Sequence, residues 1–167
     1  MQIIGKIAAV AALSLVARTS FAQEAGINVG IAAPSAAVQT LDGKAADVTQ
    51  YVGKGPVVLE FWATWCPLCK KLEPALAAAR TKYAGRVTFV SVGVKNNQTA
   101  EKQKTYAAEK KISGEFLFDA DGKAVAAYKV PDTSYLVVID ASGKVVYTGV
   151  GGGQDVDAAI SKAFAGM

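Results

Sequence analysis

Histidine is absent from the 167 residues, and cysteine occurs only twice, at Cys66 and Cys69. A structural zinc site draws about four ligands from Cys, His and carboxylate side chains, so this donor set argues against one. The 18 lysines and arginines form no block, and the formal net charge is only +4. Nothing resembles the basic stripe of a nucleic-acid-binding surface. Beyond the first 22 residues no apolar run approaches the ~20 residues of a transmembrane helix, so no membrane span is expected in the mature chain. Val150 to Gly153, "VGGG", lacks the Lys-[Ser/Thr] of a phosphate loop and reads as a joint between a strand and a helix. At 51% hydrophobic and 19% charged, the composition is that of one globular domain with a proper core.

What is present begins with "MQIIGKIAAVAALSLVARTSFA", a lysine at Lys6, an apolar stretch from Ile7 to Ala17 and a small-x-small ending at Ser20-Phe21-Ala22. Residues 1–22 read as a cleaved secretory signal, with an uncleaved N-terminal anchor as the alternative. Loss of Lys6 and Arg18 would lower the net charge from +4 to +2. Residues 23–167 then form the mature domain. Export would place the cysteines in an oxidising, periplasmic or other extracytoplasmic compartment. A three-residue spacing closes too short a loop to remove much entropy from the unfolded chain, so a structural staple is disfavoured and a reversible dithiol/disulfide remains.

Periodicity predicts the order hairpin, β, α, β, α, β, α, β, β, α. Ala36 to Leu41 followed by a turn at Asp42-Gly43 reads as the first hairpin. "GPVVLEFW" is a nearly unbroken apolar run, the signature of a buried central strand, and Glu60 is the single charge in it. Pro67 suits the first position of a helix on which Cys69, Leu72, Leu76, Ala79 and Tyr83 share one face. Pro74 should kink it. A strand over Val87 to Val94, a helix from Gln98 to Lys111 after a turn at Asn96-Asn97, a short strand in "EFLFDADGK" and a short helix in "AVAAYKV" follow. The hairpin "SYLVVIDASGKVVYTGV" and a last helix capped by Asp155 complete the chain. Helix-length crossovers between apolar strands imply parallel pairing, and the late hairpin adds antiparallel strands.

A thiolate is the attacking form of cysteine, and the free N–H groups at a helix N-terminus favour an anion. Cys66, placed there by Pro67, should titrate below the free-thiol value of about 8.5. Cys69, one turn in and on the buried face, should be less accessible. Cys66 would attack a partner and Cys69 would resolve the mixed disulfide. Trp62 and Trp65 would provide a rigid apolar surround.

"VVLEFWATWCPLCKKLEPAL", together with "FLFDADGKAVAAYKV" and "YLVVIDASGKVVYTGVGG", resembles the thioredoxin superfamily, and within it the exported TlpA/ResA-like thiol–disulfide oxidoreductases. The resemblance spans the mature chain. It implies an α/β thioredoxin fold: a central mixed β-sheet flanked by helices, with an N-terminal β-hairpin and a central α/β insertion. It implies the same division of labour between Cys66 and Cys69, and a buried acid at Glu60, which would move protons for Cys69. The competing reading of Glu60 is a strand-edge carboxylate that reaches water or pairs with a lysine.

Trp65, Pro67 and Leu68 would meet the substrate, together with the loop facing the cysteines, where the family register puts Thr133-Ser134 rather than X-Pro. Two readings of that loop stand: Val130-Pro131 takes over the cis-proline role, or the cis bond is absent and a hydroxyl is exposed near Cys66. With no histidine between the cysteines, a reductant is favoured over a strong oxidant. Neither cofactor nor metal is called for. The expected partners are a client protein with a cysteine pair, such as an apocytochrome, and a membrane electron donor; the mature chain is expected to be monomeric. Two rivals remain: a Cu(I)-binding protein using both thiolates, and a peroxiredoxin-like peroxidase. The peroxidase loop P-x-x-x-[ST]-x-x-C would put Pro and Ser/Thr where Leu59 and Ala63 stand.

Overall fold

The computed structural model describes residues 26–165. The proposed signal, residues 1–22, lies outside that range. Seven strands, β1 (Ala37–Thr40), β2 (Ala45–Asp47), β3 (Val57–Trp62), β4 (Thr88–Val94), β5 (Glu115–Asp119), β6 (Tyr135–Ile139) and β7 (Val145–Val150), form one sheet. Four helices join them: α1 (Pro67–Lys82), α2 (Ala100–Glu109), α3 (Lys123–Ala127) and α4 (Val156–Ser161). The order of elements matches the one read from periodicity.

Across the sheet the strands run β2-β1-β5-β4-β3-β6-β7. β3 pairs parallel with β4, and β4 with β5, while β6 lies antiparallel to β3 and β7 antiparallel to β6. The N-terminal hairpin forms with Ala37 opposite Asp47, and β1 also joins the sheet beside β5. This is the mixed sheet of a thioredoxin fold, with the hairpin and the α2–β5 insertion in place.

All six residues of β3 are buried, Glu60 among them, as a central strand covered on both faces requires. From Val57 to Phe61 their side chains alternate between the two faces of the sheet, while Trp62 at the strand end joins the core of Val57, Leu59 and Phe61. Val57, Leu59 and Phe61 pack with Val92, Val137, Ile139, Ala124 of α3 and Tyr128, which caps that helix. Val58 faces the other way and packs with Leu72 and Leu76 of α1 and with Val156 and Ile160 of α4. Helices therefore cover both faces of the sheet. Glu60 belongs to the α1 face by the same period of two.

α1 runs unbroken through Pro74, which ends up on the exposed side of the helix. α2 is shorter than the expected Gln98–Lys111 span. The Thr99 side chain accepts from the Lys102 N–H and starts the helix two residues later than expected, at Ala100. Gln98 is thereby left in the connection, its side chain free for other work.

Candidate functional site

α1 starts where β3 ends, after the turn Ala63–Trp65. Pro67 occupies the first helical position, and Cys66 is the N-cap. The Cys66 Sγ accepts a hydrogen bond from the Cys69 N–H at 3.0 Å. The cysteines are joined as a disulfide, with Cα atoms 5.3 Å apart. One helical turn brings them together, and the helix N-terminus directs N–H groups at the first sulfur.

The expected difference in exposure is not present in this disulfide state. Cys66 is 1% exposed and Cys69 5%. The reason is local: Cys66 Sγ is turned inward to reach both its sulfur partner and the Cys69 amide. Around it Trp65 and Leu68 remain 44% and 42% exposed, and Pro67 is exposed as well. Trp65 is anchored by a 2.7 Å hydrogen bond from its Nε1 to the Asn96 carbonyl. Trp62 is buried, with its ring against Tyr106 and Phe116.

The facing loop brings Thr133 and Ser134 to the start of β6. No peptide bond among the described residues is cis, so Val130-Pro131 does not take over the role of a cis-proline. Ser134 has a left-handed φ of 66°, and its N–H donates to the Phe61 carbonyl at 2.9 Å. Ser134 is fully buried, and its hydroxyl donates to the Gly151 carbonyl at 3.2 Å. The expectation of an exposed hydroxyl therefore fails for Ser134: its backbone bond continues the β3–β6 ladder and turns the side chain inward. Thr133 is half-buried.

β3 lies inside the sheet and, among the described residues, no lysine forms an ion pair with Glu60, although Lys70 lines the cavity beside it; the strand-edge reading is therefore not met. Glu60 is 5% exposed, and the cavity it opens on is about 20 Å³, large enough for a single water. Cys69, Trp62, Glu73, Ser91 and Tyr106 line the same cavity. The Glu60 pKa is pushed up to about 8, chiefly by burial and further by the Glu73 carboxylate, against the pull of Arg80. Glu73 and Arg80 form an ion pair at 2.6 Å, with the arginine side chain only 9% exposed.

Glu73, Ser91 and Tyr106 were not singled out in the sequence. Glu73 follows Cys69 by four residues, and that spacing alone puts the two on one helical face. Ser91 is the register partner of Glu60 across β3 and β4. No local pattern announces Ser91 or Tyr106, because strand register and the placement of α2 bring them in. Among the described residues no cluster of three or more His, Cys, Asp or Glu is placed to hold a metal ion.

The Redoxin family matches the chain over residues 28–163. The thioredoxin-like protein YneN of Bacillus subtilis is 31% identical over 124 residues, which cover 74% of this chain and 72% of that one. The thiol-disulfide oxidoreductase ResA of the same organism is also 31% identical, over 129 residues covering 75% and 69% of the two chains. A solved thiol:disulfide interchange protein of the thioredoxin family from Chlorobium tepidum is 27% identical. It superposes with a TM-score of 0.68, covering 83% of this chain and 99% of that one. A cysteine pair at a helix start, a thioredoxin fold around it and these relatives lead to one statement: the chain belongs to the Redoxin family and is a thioredoxin-like thiol–disulfide oxidoreductase.

Proposed function

We propose that the protein is exported and exchanges electrons with cysteine pairs of client proteins through Cys66 and Cys69, working as a reductant. The observation that carries this reading is the Cys69 N–H aimed at Cys66 Sγ, on a helix whose next turn faces the cavity of Glu60. In the reduced protein the same amide would stabilise a Cys66 thiolate. That thiolate attacks one sulfur of a client disulfide, forming a mixed disulfide and releasing the other client sulfur as a thiolate. Cys69 then gives its proton to ionised Glu60, through the cavity, and attacks Cys66 Sγ. The Cys66–Cys69 bond forms, the mixed disulfide breaks, and the client leaves as a dithiol after taking up two protons. Two electrons pass from the protein to the client. Near neutral pH a minority of Glu60 is ionised and able to accept, which suits a group that must take and return a proton in each cycle.

Trp65, Pro67, Leu68 and Thr133 supply the rim on which a client segment would rest, and Ser134 shapes that rim through its backbone. The absence of histidine between the cysteines supports a reductant, and the apolar start of the chain supports export. A membrane-bound donor would regenerate the dithiol. The test is a Cys69→Ser variant expressed in the native host, which should arrest as a mixed disulfide through Cys66 and identify the client. An insulin-reduction assay run beside a Cu(I) titration separates enzyme from metal carrier. No trapped protein and no insulin reduction would overturn the proposal.

A further inference from the structure

The connection from β4 to α2 takes no part in the reaction above, yet it holds the turn that carries Cys66. Gln98 in this connection is 5% exposed, and its amide bonds entirely to backbone. Its Oε1 accepts from the Thr64 N–H at 2.9 Å. Its Nε2 donates to the Val94 carbonyl at 2.8 Å and to the Trp62 carbonyl at 3.2 Å. Val94 and Trp62 are the last residues of β4 and β3, the two parallel strands at the middle of the sheet. Two residues earlier the Asn96 carbonyl accepts from Trp65 Nε1. The connection thus grips the chain just before the turn and at its end, and Cys66 follows directly. An amide serving packing alone would not need to reach Thr64, because bonds to the two strand ends would already satisfy its donors.

We infer that Gln98 is a positioning residue for Cys66: it ties the turn Ala63–Trp65 to the ends of β3 and β4, so that Cys66 Sγ stays over the N-terminus of α1. The inference rests on the reading of Cys66 as the attacking sulfur. Without the clamp, the part-buried Thr64 N–H loses its partner and the turn relaxes toward water. A displacement of about 1 Å at a reacting group is enough to cost one to two orders of magnitude in rate.

The test compares Gln98→Met, which keeps the shape and loses all three bonds, with Gln98→Glu, which when protonated keeps an acceptor and one donor. Three readouts are needed on the reduced protein: iodoacetamide labelling of Cys66 against pH, kcat and KM for insulin reduction, and thermal melting. Gln98→Met should move the Cys66 titration toward the free-thiol value of about 8.5 and lower kcat/KM about tenfold. Gln98→Glu should lie between it and the wild type. If Gln98→Met lowers only the melting temperature and leaves titration and kcat/KM at wild-type values, the residue is structural and the inference falls. If wild-type Cys66 titrates as an ordinary thiol, the attacking-sulfur reading fails instead, and unchanged kcat/KM in Gln98→Met then overturns the clamp separately. Should Gln98→Met not fold, Gln98→Glu decides alone. Its carboxyl, protonated or ionised, cannot donate to both Val94 and Trp62, so its Cys66 titration must rise and its kcat/KM must fall; wild-type values of both refute the inference.

Discussion

The Cys69 amide N–H lies 3.0 Å from the Cys66 sulfur and donates to it. One residue thus serves the other twice, as disulfide partner and as hydrogen-bond donor. When the disulfide opens, that donor remains on the helix backbone, where the Cys66 thiolate can use it.

Cys66 should therefore titrate below about 8.5 in the reduced protein. Alkylation rates of Cys69→Ser and Cys66→Ser variants, followed across pH, test this directly. Cys66 should ionise at least about one pH unit before Cys69, which is buried and shares its cavity with the carboxyls of Glu60 and Glu73. Coincident curves near the free-thiol value would remove the asymmetry on which the proposed attack depends.

Glu60→Gln should slow insulin turnover by about 10²-fold while leaving the first attack by Cys66 unchanged, since the acid serves only Cys69. Stopped-flow measurement of the two steps separates them; equal loss in both would place Glu60 elsewhere in the mechanism. The same variant carries a stability signature. Burial raises the Glu60 pKa from its ordinary 4.5 to about 8, so the folded state holds this proton more tightly than the unfolded one. Stability from this group is complete below pH 4.5 and declines as the pH rises toward 8, by at most roughly 4–5 kcal/mol. Urea unfolding at pH 5 and at pH 8 should show a decline in the wild type that is largely absent in Glu60→Gln.

Glu73 and Arg80 act on Glu60 with opposite sign, the first raising its pKa and the second lowering it. Glu73→Gln should move the Glu60 titration down, and Arg80→Met should move it up. Carboxyl resonances followed by carbon-13 NMR across pH report this. Each substitution also breaks the 2.6 Å ion pair and should lower stability by about 1–3 kcal/mol. A shift of the same sign in both variants would show that their effect is a general loosening.

Ser134→Pro should destabilise the protein by about 3 kcal/mol. Proline holds φ near −65°, against 66° at this position, and it cannot donate to the Phe61 carbonyl. Ser134→Gly keeps the backbone bond and accepts the left-handed φ, so it should stay within about 1 kcal/mol of the wild type. Denaturant midpoints suffice; a tolerated proline would mean that the loop has a second conformation of similar energy.

The order of elements could be read along the chain because each depends on neighbours a few residues away. The apolar run of β3, the helical spacing from Cys69 to Tyr83, Pro67 at the start of α1 and the two hairpins each announce themselves within one segment. The same locality made Cys66 and Cys69 legible, since three residues of helix join them.

Glu60 stood out in sequence as the one charge in an apolar strand, but its surroundings are contributed by α1, α2, β4 and β5, far apart in sequence. Only when these pack together does the Glu73–Arg80 pair come to bear on it and Tyr106 help enclose the cavity. Ser134 is similar: its residue type suggested an exposed hydroxyl, and the bond from its N–H to Phe61 turned that hydroxyl inward. Gln98 read as the start of a helix until the Thr99 cap left it outside, within reach of Trp62, Val94 and Thr64. Short-range periodicity settles which segments become strands and helices. Which polar groups lose water, and which partners they find, is settled only when distant segments close on one another, because desolvation and hydrogen bonding act through space.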